Sequence, residues 1–347
     1  MSNQAFQNLK ELPTPLSYSQ CILHKHEFLI CGGYEQRACY SYHTIKNEYK
    51  LICEYPSYVQ LIGHCVVKLV DNNKDITLLS FGGYGNKHTL VMKYISVWSN
   101  ISSNSSNYNE WVPFTNSQNH KIIIGRDEDN YYGVRAVIGG RNNNLLFITY
   151  KYNKISVFDL NTFQFIKHHS LPTGNSIQNH CFVSNSENGQ EQEMTKTNKQ
   201  NYQMLLFCWK IGMSIEYDED KEKFQFHILP VCNDIAPFYA YAYVYVNDTI
   251  LFFGGYGNRT CSKSVYKYSI REKKWITFEN TLSIPLSGCV AILNEDDNYI
   301  HIIGGKDDKS AISKNEIKFI NQHWIRILEI KLGWIDDFDK IIVKYSK

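Results

Sequence analysis

Two stretches of the chain, FGGYGNKHT at 81–89 and FGGYGNRTC at 253–261, share a seven-residue frame in which only the lysine gives way to an arginine. Each closes a short apolar run, ITLLSFGG at 76–83 and TILFFGG at 249–255. The same run with its diglycine recurs as EFLICGG at 27–33 and YIHIIGG at 299–305. Between them, NLLFITY at 144–150 and QMLLFCW at 203–209 are similar runs without the glycines. The six runs end at 33, 83, 150, 209, 255 and 305, at intervals of 50, 67, 59, 46 and 50. Self-similarity at such a period marks a repeat architecture, in which one unit buries its apolar face only by stacking on its neighbours. A phosphate-binding reading of the glycines fails. Neither G-x-x-x-x-G-K-[ST] nor G-x-G-x-x-G is present, and no helix-forming run follows.

Behind each run lies a third strand-like segment with an aromatic residue: Tyr42, Tyr94, Phe158, Tyr217, Tyr268 and Phe319. A fourth follows with Tyr49, Trp111, Phe163, Phe224, Trp275 and Trp324. The diglycines are Gly32-Gly33, Gly82-Gly83, Gly254-Gly255 and Gly304-Gly305. In these residues the chain resembles the kelch-repeat family, whose blades carry a diglycine, then a tyrosine, then a tryptophan. The resemblance spans roughly 5–330, is specific in blades 1, 2, 5 and 6, and is degenerate in blades 3 and 4. It implies an all-β, kelch-type β-propeller of antiparallel four-stranded blades, six in number, with seven as the alternative. The blades are expected at 14–56, 57–115, 116–170, 171–230, 231–281 and 282–330. Residues 1–13 are a candidate closing strand, which would displace HWIRILEI at 323–330 from the last blade. Ile335, Phe338, Ile342 and Tyr345 fall at helical spacing, so 331–347 is expected to form a short amphipathic helix.

The first strand of each repeat aligns on a small residue: Cys21, Cys65, Ala136, Cys181, Ala242 and Cys289. This column reads as packing near the axis, where free cysteine behaves as a small hydrophobe. The residues before it, Gln20, His64, Arg135, His180, Tyr241 and Gly288, are then expected by alternation to face the channel. The diglycine reads as room for a large neighbouring ring. Blades 3 and 4 put Thr149-Tyr150 and Cys208-Trp209 there, and their fourth strands carry phenylalanine instead of tryptophan, a compensation in volume.

In a four-stranded unit with strands A to D, the B–C and D–A loops share one face. After each second strand comes a basic residue: Arg37, Lys87, Lys151, Lys210, Arg259 and Lys306. With Gln20, His64, Arg135, His180 and Tyr241 they form an expected rim, and the long, partly apolar 116–133 segment is expected to fold across this mouth. Loops at the end of a rigid scaffold are where binding residues gather, so the rim reads as a recognition surface for an acidic peptide or protein segment. The opposite face carries polar inserts at 99–109 and 184–201.

Composition narrows the classes. Thirty-six basic against 34 acidic residues give a net charge of +2, which supports neither nucleic-acid nor membrane-surface binding. The N-terminus lacks the basic start and apolar run of a signal peptide. The ten cysteines show no C-x-x-C pairing. A cytoplasmic protein with reduced thiols is expected. No H-E-x-x-H or G-x-S-x-G occurs, so no catalytic, metal or cofactor set is assigned. The expected function is a non-catalytic interaction module or scaffold. The competing class is an enzyme or a small-molecule or metal binder at the channel mouth.

Overall fold

The computed structural model of the chain describes residues 6–8, 10–72, 75–83, 87–99, 108–184, 201–294, 299–309, 312 and 316–320. Trp324, the HWIRILEI segment, the expected helix at 331–347 and most of the two polar inserts lie outside them. All regular structure in the described residues is β.

A three-residue strand, β1 (Phe6–Asn8), precedes the first sheet, which comprises β2 (Gln20–His24), β3 (Glu27–Gly33), β4 (Gln36–His43) and β5 (Glu48–Glu54). The second holds β6 (His64–Asn72), β7 (Asp75–Gly82), β8 (His88–Tyr94) and β9 (Val112–Pro113). The third holds β10 (Arg135–Gly139), β11 (Leu145–Tyr150), β12 (Lys154–Asp159) and β13 (Gln164–Ser170). The fourth holds β14 (Cys181–Ser184), β15 (Asn201–Cys208), β16 (Ile211–Asp218) and β17 (Lys223–Ile228). In the fifth, β18 (Ala242–Val246) and β19 (Thr249–Phe253) are followed by a ribbon of β20 (Tyr256–Gly257) and β21 (Thr260–Cys261). β22 (Val265–Ser269) and β23 (Lys274–Thr277) complete it. The last consists of β24 (Val290–Asn294), β25 (Tyr299–Ile303) and β26 (Glu316–Ile320).

Each sheet is antiparallel and runs in chain order from inside to outside, giving six four-stranded sheets. The last reads β24-β25-β26-β1, because Phe6 pairs with Phe319 and Asn8 with Ile317. The N-terminal segment thus supplies the outermost strand of the last sheet and closes the ring. The inner strands stand side by side around an axis, β2 beside β6 and β24, and β10 beside β6 and β14.

The core lies between the sheets. Six apolar clusters occupy the six junctions. One joins Leu29 and Cys31 of the first sheet to Leu78 and Met92 of the second; another joins Ile303 of the last to Phe28 and Ile30 of the first. Second strands are therefore packed on both faces, and β3 and β11 are buried at every position. This explains why the repeats read as continuous apolar runs rather than as alternation. Outer strands such as β5 and β17 expose every second residue or more.

The alignment of inner strands needs a correction. The structural landmark is a left-handed residue before each one: Tyr18, Gly63, Gly133, Asn179, Ala240 and Gly288, with φ between 44° and 69°. These six are linked through the backbone. Tyr18 N–H donates to Gly288 O, Gly288 to Ala240, Ala240 to Asn179, Asn179 to Gly133 and Gly133 to Gly63, at 2.6–3.1 Å. A left-handed conformation costs a non-glycine residue about 1–2 kcal/mol, and the collar of hydrogen bonds offsets it. Counting from the collar, the equivalent column is Gln20, Cys65, Arg135, Cys181, Ala242 and Val290. The small-residue alignment was one position out in the first, third and last sheets. The pairing of Arg135 with Thr149 also moves the diglycine place of the third sheet to Tyr150-Lys151, one residue beyond the expected Thr149-Tyr150. In the fourth sheet Cys181 pairs with Phe207, leaving Cys208-Trp209 in that place as expected.

The diglycine's physical reason is also different from the expected one. A Cβ on Gly254 would stand 2.2 Å from Leu286 O, and one on Gly304 would stand 2.4 Å from Leu16 O. Gly32 faces Leu61, and Gly82 faces Val134. The glycines admit the chain entering the next sheet, backbone against backbone, rather than making room chiefly for a ring. Gly33, Gly83, Gly255 and Gly305 lie instead against the segments that lead into their own sheets, at Ser17, Gln60, Tyr239 and Ser287. Phe163 stands at φ 59 in the turn before β13, so it is not the fourth-strand counterpart of a tryptophan.

Candidate functional site

The inner strands present an edge, not a face, to the axis, so their side chains point sideways into the junctions. This overturns the expected placement of His64, His180 and Tyr241 on the channel rim. His64 and His180 are 0% exposed and Tyr241 4%. His64 Nε2 lies 3.1 Å from Cys31 O of the first sheet, and His180 Nε2 lies 2.6 Å from Thr149 Oγ1 of the third. Tyr241 packs edge-on against Phe252 at 5.0 Å. Burial pushes the His64 imidazole down to about 3, with His88 and Arg135 adding to the effect, and it pushes His180 well below its ordinary value. All three are wedges between sheets.

Gln20 and Arg135 do reach the axis. They line a cavity of about 220 Å³ at the collar, together with Tyr18, Ser19, Asn179 and Gly288. Below it a second space of about 500 Å³ continues along the axis, walled by Cys21, Val66, Ala136, Val183, Tyr243 and Ala291.

The six loop cations divide. Arg37 is engaged on the outer part of its own sheet, 3.3 Å from Glu54 and donating to Tyr55 O at 3.4 Å. Lys87 is tied to the 116–133 segment, donating to Arg126 O and to Asp127 O. That segment does not cross the mouth. Ile124 and Tyr131 are buried between the second and third sheets, Ile124 N–H donates to Thr89 Oγ1 at 2.9 Å, and Gly83 bridges to Tyr131. Lys210 is exposed beside Trp209. Arg259 is exposed at the tip of the β20–β21 ribbon, where Asn258 and Arg259 have φ 50 and 65. Two positive φ values at the centre of a two-residue loop are those of a type I′ turn.

Lys151 and Lys306 converge on the mouth. Lys151 Nζ lies 5.6 Å from the Tyr132 ring centre and 5.7 Å from that of Tyr152. Lys306 Nζ lies 5.6 Å from Tyr18 and 5.8 Å from Tyr256. Among the described residues no carboxylate forms an ion pair with either. Rings continue around the opening: Tyr18 is 6.5 Å from Tyr34, Tyr239 is 5.9 Å from Tyr256, and Trp209 is 4.4 Å from Tyr239. Burial raises the Tyr18 hydroxyl, and Tyr132 and Tyr239 push it further in the same direction. It remains a protonated donor at neutral pH.

Sequence reasoning named the two lysines but missed Tyr18, Tyr34, Tyr132, Tyr239, Tyr256 and Trp209. A signal was present. The two repeats that lack the diglycine carry Lys151 and Trp209 in its place, so degeneracy in the repeat marks where side chains enter the mouth. Trp111 and Trp275 are structural: their indole N–H groups reach back to the preceding sheet, to Cys39 Sγ at 3.3 Å and Pro230 O at 2.7 Å.

Comparison with known proteins agrees with this architecture. A family model for the kelch motif matches residues 237–280, which hold the whole of the fifth sheet. No curated protein matches the sequence. Among solved structures, the "Structure of YjhT" superposes with a TM-score of 0.60 at 14% identity, covering 88% of this chain and 95% of that one. At that identity the likeness concerns the fold alone. The chain folds as a β-propeller and carries a kelch motif at residues 237–280.

Proposed function

We infer that the protein is a non-catalytic interaction module that captures an acidic segment of another protein across the tyrosine-lined mouth. The observation that carries this reading is the pair Lys151 and Lys306, each laid over two tyrosine rings without a carboxylate partner among the described residues. Aromatic surface with cations at its edge suits a partner that offers carboxylates beside apolar side chains, and rigid aromatic residues are frequent anchors of interfaces. The kelch-motif match supports the reading, because propellers of this kind commonly serve as interaction platforms. Ten unbridged thiols favour a reducing compartment such as the cytoplasm. No described helix is long and apolar enough to cross a membrane.

The test is partner capture by proximity labelling, and by affinity purification in rising salt. Wild type is compared with a Lys151→Glu/Lys306→Glu protein and with an Arg37→Glu/Lys87→Glu control. The mouth variant is expected to lose its partners while its circular dichroism and melting stay at wild-type values. An unchanged partner set refutes the reading. The alternative, a small ligand in the channel mouth, is favoured by Arg135 lining the axial cavity.

A further inference from the structure

We propose that the cavity inside the collar is a carboxylate site, with Arg135 as its charge partner and Asn179 and Ser19 as its hydrogen-bonding groups. Arg135 is the one charged residue lining the cavity. Its guanidinium donates to Val134 O at 2.8 Å, and no carboxylate among the described residues forms an ion pair with it. A partly buried cation loses hydration without a partner to replace it, an arrangement favoured where an anion binds.

The neutral groups point the same way. Asn179 is 2% exposed, and its side-chain amide has Tyr132 as a hydrogen-bonding neighbour, which satisfies at most one of its two ends. Ser19 is 4% exposed, and its Oγ is without a partner. Buried polar atoms are nearly always paired, and the exceptions call for an explanation. The left-handed backbone at Asn179 does not supply one. Gly63, Gly133 and Gly288 hold the same collar conformation without a side chain. In a ring of six sheets the first stands across the axis from the fourth, so Ser19 and Asn179 line one space from opposite sides.

Size and charge define the ligand class. Pockets for drug-sized molecules usually exceed about 300 Å³, so 220 Å³ suits a small group. A guanidinium offers two parallel N–H bonds to a planar carboxylate. One arginine balances the single charge of a carboxylate; Tyr18 and Gln20 add neutral polar groups, and the lining holds no second cation for a second charge. The carboxylate is either that of a free small molecule or the side chain of a docked peptide.

The experiment separates the two sources. The full chain is titrated by calorimetry and ligand-observed NMR with N-acetylglycine and with its neutral isostere N-acetylglycinamide. A second arm uses N-acetyl-Gly-Glu-Gly-amide against its glutamine counterpart. The carboxylate form of at least one pair is expected to bind at least about tenfold more tightly than the amide, the scale of a charge-assisted hydrogen bond. Arg135→Gln should remove that preference. Asn179→Gly, which keeps the left-handed backbone, should weaken binding about three- to tenfold without shifting the melting temperature. Lys151→Glu/Lys306→Glu should leave N-acetylglycine binding unchanged, so failure of the mouth surface and failure of this site are distinguishable. Binding in the first arm names a free carboxylate, and binding in the second alone names a peptide side chain. No binding of either carboxylate probe by folded protein, or binding that Arg135→Gln does not alter, overturns the proposal.

Discussion

Gly254 shows how much of this fold rests on single atoms. It has φ 67, and a Cβ there would stand 2.2 Å from the carbonyl oxygen of Leu286, far inside van der Waals contact. Gly254→Ala is expected to destabilise the protein by more than about 2 kcal/mol, combining left-handed strain with a backbone clash. Gly174, with nothing within 4 Å of an added Cβ, is the control, and Gly174→Ala should leave the urea midpoint unchanged. The buried histidines give a second prediction at this scale. Burial pushes His64 down to about 3 and His88 to about 4, from an ordinary value of 6.5, and lowers His180 as well. Between those folded values and 6.5 the unfolded chain binds protons that the folded chain refuses, so stability rises with pH in this window. It is fully present above about 6.5 and is lost as pH falls, by up to about 1.4 kcal/mol per pH unit for each histidine. Urea midpoints measured from pH 8 to pH 4 should show a plateau and then a steep fall. His88→Gln should make that fall shallower, and an unchanged slope would exclude His88 as a source.

Strands with both faces packed were legible in the sequence, and strands with an edge toward the axis were not. EFLICGG and NLLFITY read as strands because the sheets on either side demand an unbroken apolar run. On the inner strands, alternation separates one junction from the next rather than core from water, so it carries no information about the channel. The small-residue column was therefore plausible and misplaced in three sheets, while His64 and His180, correctly aligned, were given the wrong direction. The left-handed residues were the better landmark. Gly63, Gly133, Gly288 and Asn179 are types that accept that conformation, but Tyr18 and Ala240 hid the pattern. The mouth was half legible, since Tyr18, Tyr132 and Tyr239 come from D–A loops of unequal length. Trp275 supplies the prediction for this scale. It packs on Phe207, Phe252 and Tyr268 at 4.9–5.3 Å and donates to Pro230 O in the preceding sheet. Trp275→Phe should cost about 1 kcal/mol, the worth of the lost hydrogen bond. Trp275→Ala should cost about 3 kcal/mol or more, because the ring contacts between sheets go as well. Equal costs in chemical denaturation would show that the hydrogen bond, and not the packing, joins the sheets there.

At the scale of the whole molecule, stability is shared among six junctions, and the last of them depends on the two most distant parts of the described chain. Removing residues 1–9 takes β1 away and leaves β26 as an unpaired edge, which favours association with other chains. The truncated protein should melt at lower temperature and elute partly as higher oligomers. A peptide of residues 1–12 added in trans should restore the monomer in a concentration-dependent way. A truncated protein indistinguishable from the full chain would mean that β1 contributes nothing to closure.

The pairing of β1 with β26 also imposes an order of events in time. The first strand leaves the ribosome roughly 300 residues before its partner, a wait of about 15–60 s at ordinary elongation rates. During that interval the five earlier sheets can assemble in turn, each on the one before, while the apolar flank of the first has no neighbour to cover it. The nascent chain therefore spends most of its synthesis as an open arc. A chaperone that shields the face carrying Phe28 and Ile30 would act in that interval, and its task would end once the final strand arrives.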